Sequence, residues 1–130
     1  MLIRDIADLI QAGGEGTVGI NIFLGQLPVD PDGAVAIYPT GGFKQTLPIP
    51  AVKATAQVII RALGYEDAYN RAWRIFSLLD DGGKGNKISP SGREMVIKAM
   101  QPPFFLERDE TGRVLFVFNI EIWTGREVAG

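Results

Sequence analysis

The chain has 130 residues, of which 46% are hydrophobic and 22% charged, with a formal net charge of −2. This composition suits one globular domain rather than a disordered chain, and it lacks the basic excess of a dedicated nucleic-acid binder. Cysteine and histidine are both absent, which excludes disulfides, thiolate and Ser-His-Asp catalysis, and the common zinc ligand sets.

Leu2, Ile3, Ile6, Leu9 and Ile10 recur at helical spacing with Arg4, Asp5, Asp8 and Gln11 opposite, predicting an amphipathic helix that ends at Gly13-Gly14. Ile20 to Leu24 reads as a short strand, residues 25–33 as a loop built on two prolines and Asp-Gly turn chemistry, and Ala34 to Tyr38 as the next strand. Prolines 39, 48 and 50 with Gly41 and Gly42 then mark a segment that cannot join a central ladder, because proline lacks the backbone donor. Phe43, Leu47 and Ile49 on this projecting loop are apolar without periodicity, and either invite a partner surface or fold back onto their own sheet.

Val52 to Leu63 alternates, with Ala54, Ala56, Val58, Ile60 and Ala62 assigned to the core. After Gly64, the acids Glu66 and Asp67 open a second helix at its positive end. Tyr69, Ala72, Trp73, Phe76 and Leu79 fall on one side of it, predicting the main buttress of a sheet. Asn86 to Ser89, the turn Pro90–Gly92 and Glu94 to Met100 read as a hairpin, and Pro102-Pro103 stops pairing. Phe104, Phe105 and Leu106 precede the turn Asp109–Gly112, and Val114 to Trp123 is the longest strand, apolar on both faces at its start. The expected fold class is α+β: a mixed, mostly antiparallel sheet flanked by two main helices, in one domain over residues 1–124 with a loose tail at 125–130.

The candidate chemistry is thin. Gly82-Gly-Lys-Gly85 lacks the spacing of a phosphate-binding loop, and Asp30, Asp32 and Gly33 fail the calcium-loop pattern after two acids. Asp80 with Asp81, and Glu107 with Asp109 and Glu110, supply carboxylates for acid–base work or a metal, but read as a solvated helix end and a hairpin turn. Lys84, Lys87 and Arg93 define a weak duplex-DNA contact as a further reading. Trp123 shares a strand face with Asn119 and Glu121, a placement in which aromatics anchor protein contacts. The chain has no run of ~20 apolar residues, and Asp5 and Asp8 interrupt the stretch where a signal peptide would be apolar. It therefore reads as cytoplasmic at synthesis, with no membrane partner. Its mean hydropathy of +0.11 is high for a soluble chain and reserves apolar surface for partners.

Three segments resemble, in matching order, the tail-terminator and minor-capsid proteins of long-tailed bacteriophages. They are the stretch from Asn21 to Gly42, the helix Tyr65 to Leu79, and Gln101 to Arg113 with the strand behind it. The resemblance implies a small α/β structural protein with no catalytic residue, cofactor or metal. It further implies a ring, commonly of six copies, that caps the tail tube, halts polymerisation of the tube protein and receives the head through its connector, with phage DNA at most passing through. The implied location is the virion's head-tail junction, reached from the host cytoplasm during assembly. Candidate contact positions are Thr40, Gly41, Gly42 and Phe43 with Leu47 in the loop, Arg108, Asp109, Gly112 and Arg113 in the turn, and Trp123. Other head-closure or tail-completion proteins share this size and class. From a different class, a small carboxylate-dependent enzyme or metal-binding domain built on Asp80, Asp81, Glu107 and Asp109 is the alternative.

Overall fold

The computed structural model describes residues 1–41 and 51–125. In chain order these form α1 (Leu2–Ala12), β1 (Ile22–Leu24), β2 (Ala34–Pro39), β3 (Ala51–Ala62), α2 (Tyr65–Asp80), a single 3-10 turn (Asp81–Gly83), β4 (Asn86–Ile88), β5 (Glu94–Ala99), β6 (Phe104–Arg108) and β7 (Val114–Gly125). The fold is α+β, as the periodicities predicted. The seven strands make one sheet in the order β1-β2-β3-β7-β5-β4, with β6 also paired to β7. Among these strands the β1–β2 pairing is parallel and the others are antiparallel. The tail beyond Gly125 lies outside the described residues.

β7 is the centre of the sheet. Its whole length pairs with β3, while its other edge pairs first with β6, through Val114–Val117, and then with β5, through Ile120–Thr124. Being paired on both edges explains why its first half is apolar on both faces, with Leu115, Phe116, Val117 and Phe118 all buried. Both helices pack on the face that carries Val35, Ile37, Val58, Ile60, Phe116 and Phe118, α1 over β1 and β2 and α2 over β3, β7 and β5. Among the described residues no helix covers the opposite face. Near β1 and β2 that face is lapped by the loop 25–33, pinned from below by Arg61 and Arg113.

Three expectations are corrected. Asp5, placed on the solvent face of α1, is 4% exposed because its carboxylate accepts hydrogen bonds from Ser91 Oγ and Arg93 Nε, both at 2.6 Å. Of the stripe expected on α2, Ala72 and Leu79 are buried and Phe76 packs partly against the core, but Ala68 and Ile75 complete the buried row in place of Tyr69 and Trp73; small residues let the helix sit close, and Tyr69 and Trp73 are displaced to its flank. The first strand starts at Ile22 rather than Ile20. The Thr17 carbonyl accepts from the amides of Ile20, Asn21 and Ile22, so this stretch is a turn and Ile20 is 66% exposed.

Asp80 and the glycines after it show how a connection that reads as loose can be built tightly. The Asp80 carboxylate accepts from the backbone amides of Gly83 and Ala99, at 3.1 and 3.0 Å. Gly85 sits at φ 53° against β5, where an added Cβ would lie 2.0 Å from the Ile97 carbonyl oxygen; only glycine fits. Among the described residues no helix is long and apolar enough to cross a membrane.

Candidate functional site

The carboxylates singled out for chemistry do not converge. Asp80 is occupied by two backbone amides, Asp81 pairs with Lys87 at 3.4 Å, and Asp109 serves its own turn. Among the described residues no group of three acidic, histidine or cysteine side chains is placed to hold a metal ion. Of the three cations proposed for DNA, Lys87 is thus paired with Asp81 and Arg93 with Asp5, at 2.6 Å. Lys84 is exposed.

The turn of β6 into β7 is organised by Asp109. Its Oδ1 accepts from the Thr111 hydroxyl and amide and from the Arg113 amide, and its Oδ2 accepts from Arg113 Nε at 2.7 Å. Partial desolvation raises the Asp109 pKa, but these hydrogen bonds from Thr111 and Arg113 outweigh it and bring the value down to about 2. Arg113 continues inward and donates to the Val29 carbonyl, while Arg61 donates to the Pro31 and Asp32 carbonyls at 2.6 and 3.1 Å. Burial and the neighbouring Arg113 charge lower the Arg61 pKa. The two guanidinium groups act as an internal clamp on the loop 25–33. Arg108 is exposed and caps the Gly112 carbonyl.

Thr40 and Gly41 begin the proline-rich loop. The Thr40 hydroxyl meets that of Thr55 at 2.6 Å, and Gly41 is exposed with φ 97°. Gly42, Phe43 and Leu47 lie outside the described residues.

Trp123 stands, half-buried, toward the end of the helix-free face. Lys53 Nζ is 4.8 Å and Lys98 Nζ 5.9 Å from its ring centroid, within cation–π range. Lys53 also reaches Glu121 at 3.6 Å. Beside the indole, a cavity of about 370 Å³ is lined by Asn86, Ile88, Glu94 and Val96 among others.

A fourth surface escaped the sequence reading. Phe105 contacts Tyr65 (5.8 Å between centroids), Tyr65 and Tyr69 both contact Phe116 (5.1 and 5.9 Å), and the row continues through Trp73, Phe76 and Phe118. This aromatic ladder runs from the core out to the flank of α2, where Tyr65, Tyr69 and Phe105 remain between 41% and 50% exposed. All five residues of β6 are exposed. Among the described residues the strand pairs only with β7, which leaves its outer backbone edge open there; by contrast, β1 is capped by the Thr17–Gly19 turn, which takes up the Ile22 amide and carbonyl. The available signal was three large apolar residues in a row after Pro102-Pro103, a run without the alternation of a half-buried strand.

A family model described as bacteriophage tail terminator protein matches residues 9–124. No curated protein matches in sequence. One solved structure superposes with a TM-score of 0.57 at 12% identity, over 99% of this chain and 96% of the other, a likeness of fold. The match over most of the chain agrees with the segments that carried the resemblance. The chain belongs to the bacteriophage tail terminator family, structural proteins of the virion tail.

Proposed function

We propose that copies of this protein close into a ring, six being the expected number, that seats on the end of the tail tube. There it stops addition of further tube protein and presents the surface to which the head attaches through its connector. The protein performs this role without catalysis, is made in the host cytoplasm, and ends at the head-tail junction. The observation that carries the reading is the open edge of β6 with its exposed Phe104, Phe105 and Leu106. A long-lived monomer protects such an edge, and an assembly subunit uses it. A heterologous ring needs two different patches on each subunit; the Trp123 end of the sheet, the Thr40–Phe43 loop with Leu47, and the Arg108–Arg113 turn are candidates for the second patch and for contacts with tube and head.

The test is tail assembly with and without the protein. Purified tube protein polymerised with the chain present should give tubes of limited length that carry a terminal ring in negative stain. Tubes of unchanged length, with no density at their ends, would rule the reading out.

A further inference from the structure

We propose that the outer edge of β6 is a strand-acceptor site, to which an extended segment of the tube protein adds by backbone hydrogen bonding, a contact that rests on the tube-capping reading above. The free backbone groups follow from the sheet register. The Asn119 amide donates to Gln101 Oε1 at 3.0 Å and its carbonyl accepts from the Met100 amide at 2.8 Å, so both point to the β5–β6 side of β7. Backbone groups alternate sides along a strand, and Val117 and Leu115 therefore turn the same way and hold their partners Phe104 and Glu107. Phe105 and Arg108 stand opposite Phe116 and Val114, and direct their amides and carbonyls outward. These four groups have no partner among the described residues.

The bulge in β6 leaves this edge usable. It falls between Phe105 and Glu107 and sets Phe105 and Arg108 two ladder positions apart, the spacing of successive outward-facing residues on an antiparallel edge. Along β5 the outer edge is already taken: β4 pairs with it, the Gly85 carbonyl accepts from the Ile97 amide at 2.8 Å, and the Asp80 carboxylate accepts from the Ala99 amide at 3.0 Å. Among the described residues nothing continues that line beside β6. A strand added there meets apolar side chains on both faces. Phe105 stands with Tyr65 on the helix-covered side, ring centroids 5.8 Å apart, and Phe104, opposite Val117, stands on the other; both phenylalanines are exposed. Main-chain bonds hold an added strand and flanking side chains select its residues. The segment that fits is extended, lacks proline at the paired positions, and is apolar where it crosses Phe105.

A second copy is a poor donor of this strand. Every strand described in the chain is already in the sheet, which leaves only edge-to-edge pairing between copies. The two-fold pairing of β6 with β6 that satisfies all four groups joins Phe105 to Arg108 and sets Glu107 opposite Glu107, and like charges directly opposite are destabilising. β4 offers three residues, and very short edge strands resist pairing. The protein whose addition a tail terminator halts is the tube protein, and it is the partner that the family reading supplies.

Proline substitution isolates the backbone donor, because the β7 ladder does not use the outward Phe105 amide. Phe105→Ala removes the ring alone, whereas Phe105→Pro removes the ring and the amide hydrogen, and proline is tolerated on an edge strand whose N–H faces solvent. With folding of both variants checked by thermal unfolding, Phe105→Pro should bind tube ends about tenfold more weakly than Phe105→Ala, the effect of one hydrogen bond at the upper end of its usual net contribution. Hydrogen exchange on the unaltered protein is the second readout: the Phe105 and Arg108 amides, resolved by fragmentation mass spectrometry, should exchange severalfold more slowly on tubes than in free protein. Equal tube binding by the two Phe105 variants, or unslowed amides in tube-bound protein, would overturn strand addition and leave the terminator reading intact. Slowing that appears in free protein as its concentration is raised would assign the edge to a second copy and overturn the proposal as well. Unaltered protein that neither binds tubes nor limits their length removes the terminator reading, and strand addition with it.

Discussion

Asp5 and Arg93 lie 88 positions apart in the chain, and their side chains meet at 2.6 Å. The contact fastens the first turn of α1 to the β4–β5 hairpin at the far end of the sheet order, with Ser91 and Ser89 completing the network. It ties together elements that no short-range interaction would join.

Asp5→Ala should therefore cost about 2–3 kcal/mol, since it removes charged hydrogen bonds from a buried acceptor and leaves the Arg93 guanidinium half-buried without its carboxylate. Urea unfolding followed by circular dichroism measures this. A loss below about 0.5 kcal/mol, the range of ordinary surface changes, would show that α1 is held by its apolar stripe alone.

Acid should weaken the fold in a definite window. Desolvation raises the Asp5 pKa, but hydrogen bonds from Ser91, Arg93 and Ser89 and the Arg93 charge leave it below its ordinary 3.8; Asp109 falls further, to about 2. A carboxyl depressed in the folded state binds its proton more readily when unfolded, so its contribution is complete above about pH 5 and drains away as pH falls toward the folded pKa. Stability should be flat from neutrality to about pH 5 and then decline, and Asp109→Asn should remove part of that decline. An unchanged acid limb in the variant would contradict the assignment.

Gly85→Ala tests the connection between α2 and β4. The added methyl group meets the Ile97 carbonyl oxygen in a backbone conformation with positive φ, so the variant should lose more than about 1 kcal/mol. Gly92→Ala is the control, since its φ is 93° but the space around it is open; it should lose less. Equal losses would mean that backbone conformation alone decides both sites.

The aromatic ladder should divide cleanly into core and contact ends. Phe118→Ala, at the fully buried end, should cost about 3–5 kcal/mol in thermal or denaturant unfolding. Leu106→Asp, beside the exposed Phe105 on β6, should leave stability within about 0.5 kcal/mol while abolishing the limit on tube length. A Leu106→Asp protein that still terminates tubes normally would place the contact elsewhere.

The order and type of nearly every element were legible in the sequence because each depends on neighbours a few positions away. Period two in Val52–Leu63 and Val114–Trp123, period 3.6 in Leu2–Gln11 and Tyr65–Leu79, and glycine or proline between them are local signals, and the family resemblance rested on the same segments. What only the tertiary structure decided is which side each element turns to the core. The aromatic row of α2 had the spacing of a buried stripe, yet the helix sits on Ala68, Ala72, Ile75 and Leu79 and leaves Tyr65 and Tyr69 at the flank. Asp5 had the character of a surface acid until the distant Ser91 and Arg93 supplied its partners. The open edge of β6 exists because β7 divides its second edge between β6 and β5. Periodicity reports that a face is apolar; whether it is covered, and by what, depends on pairings between residues far apart in the chain, which no local pattern encodes.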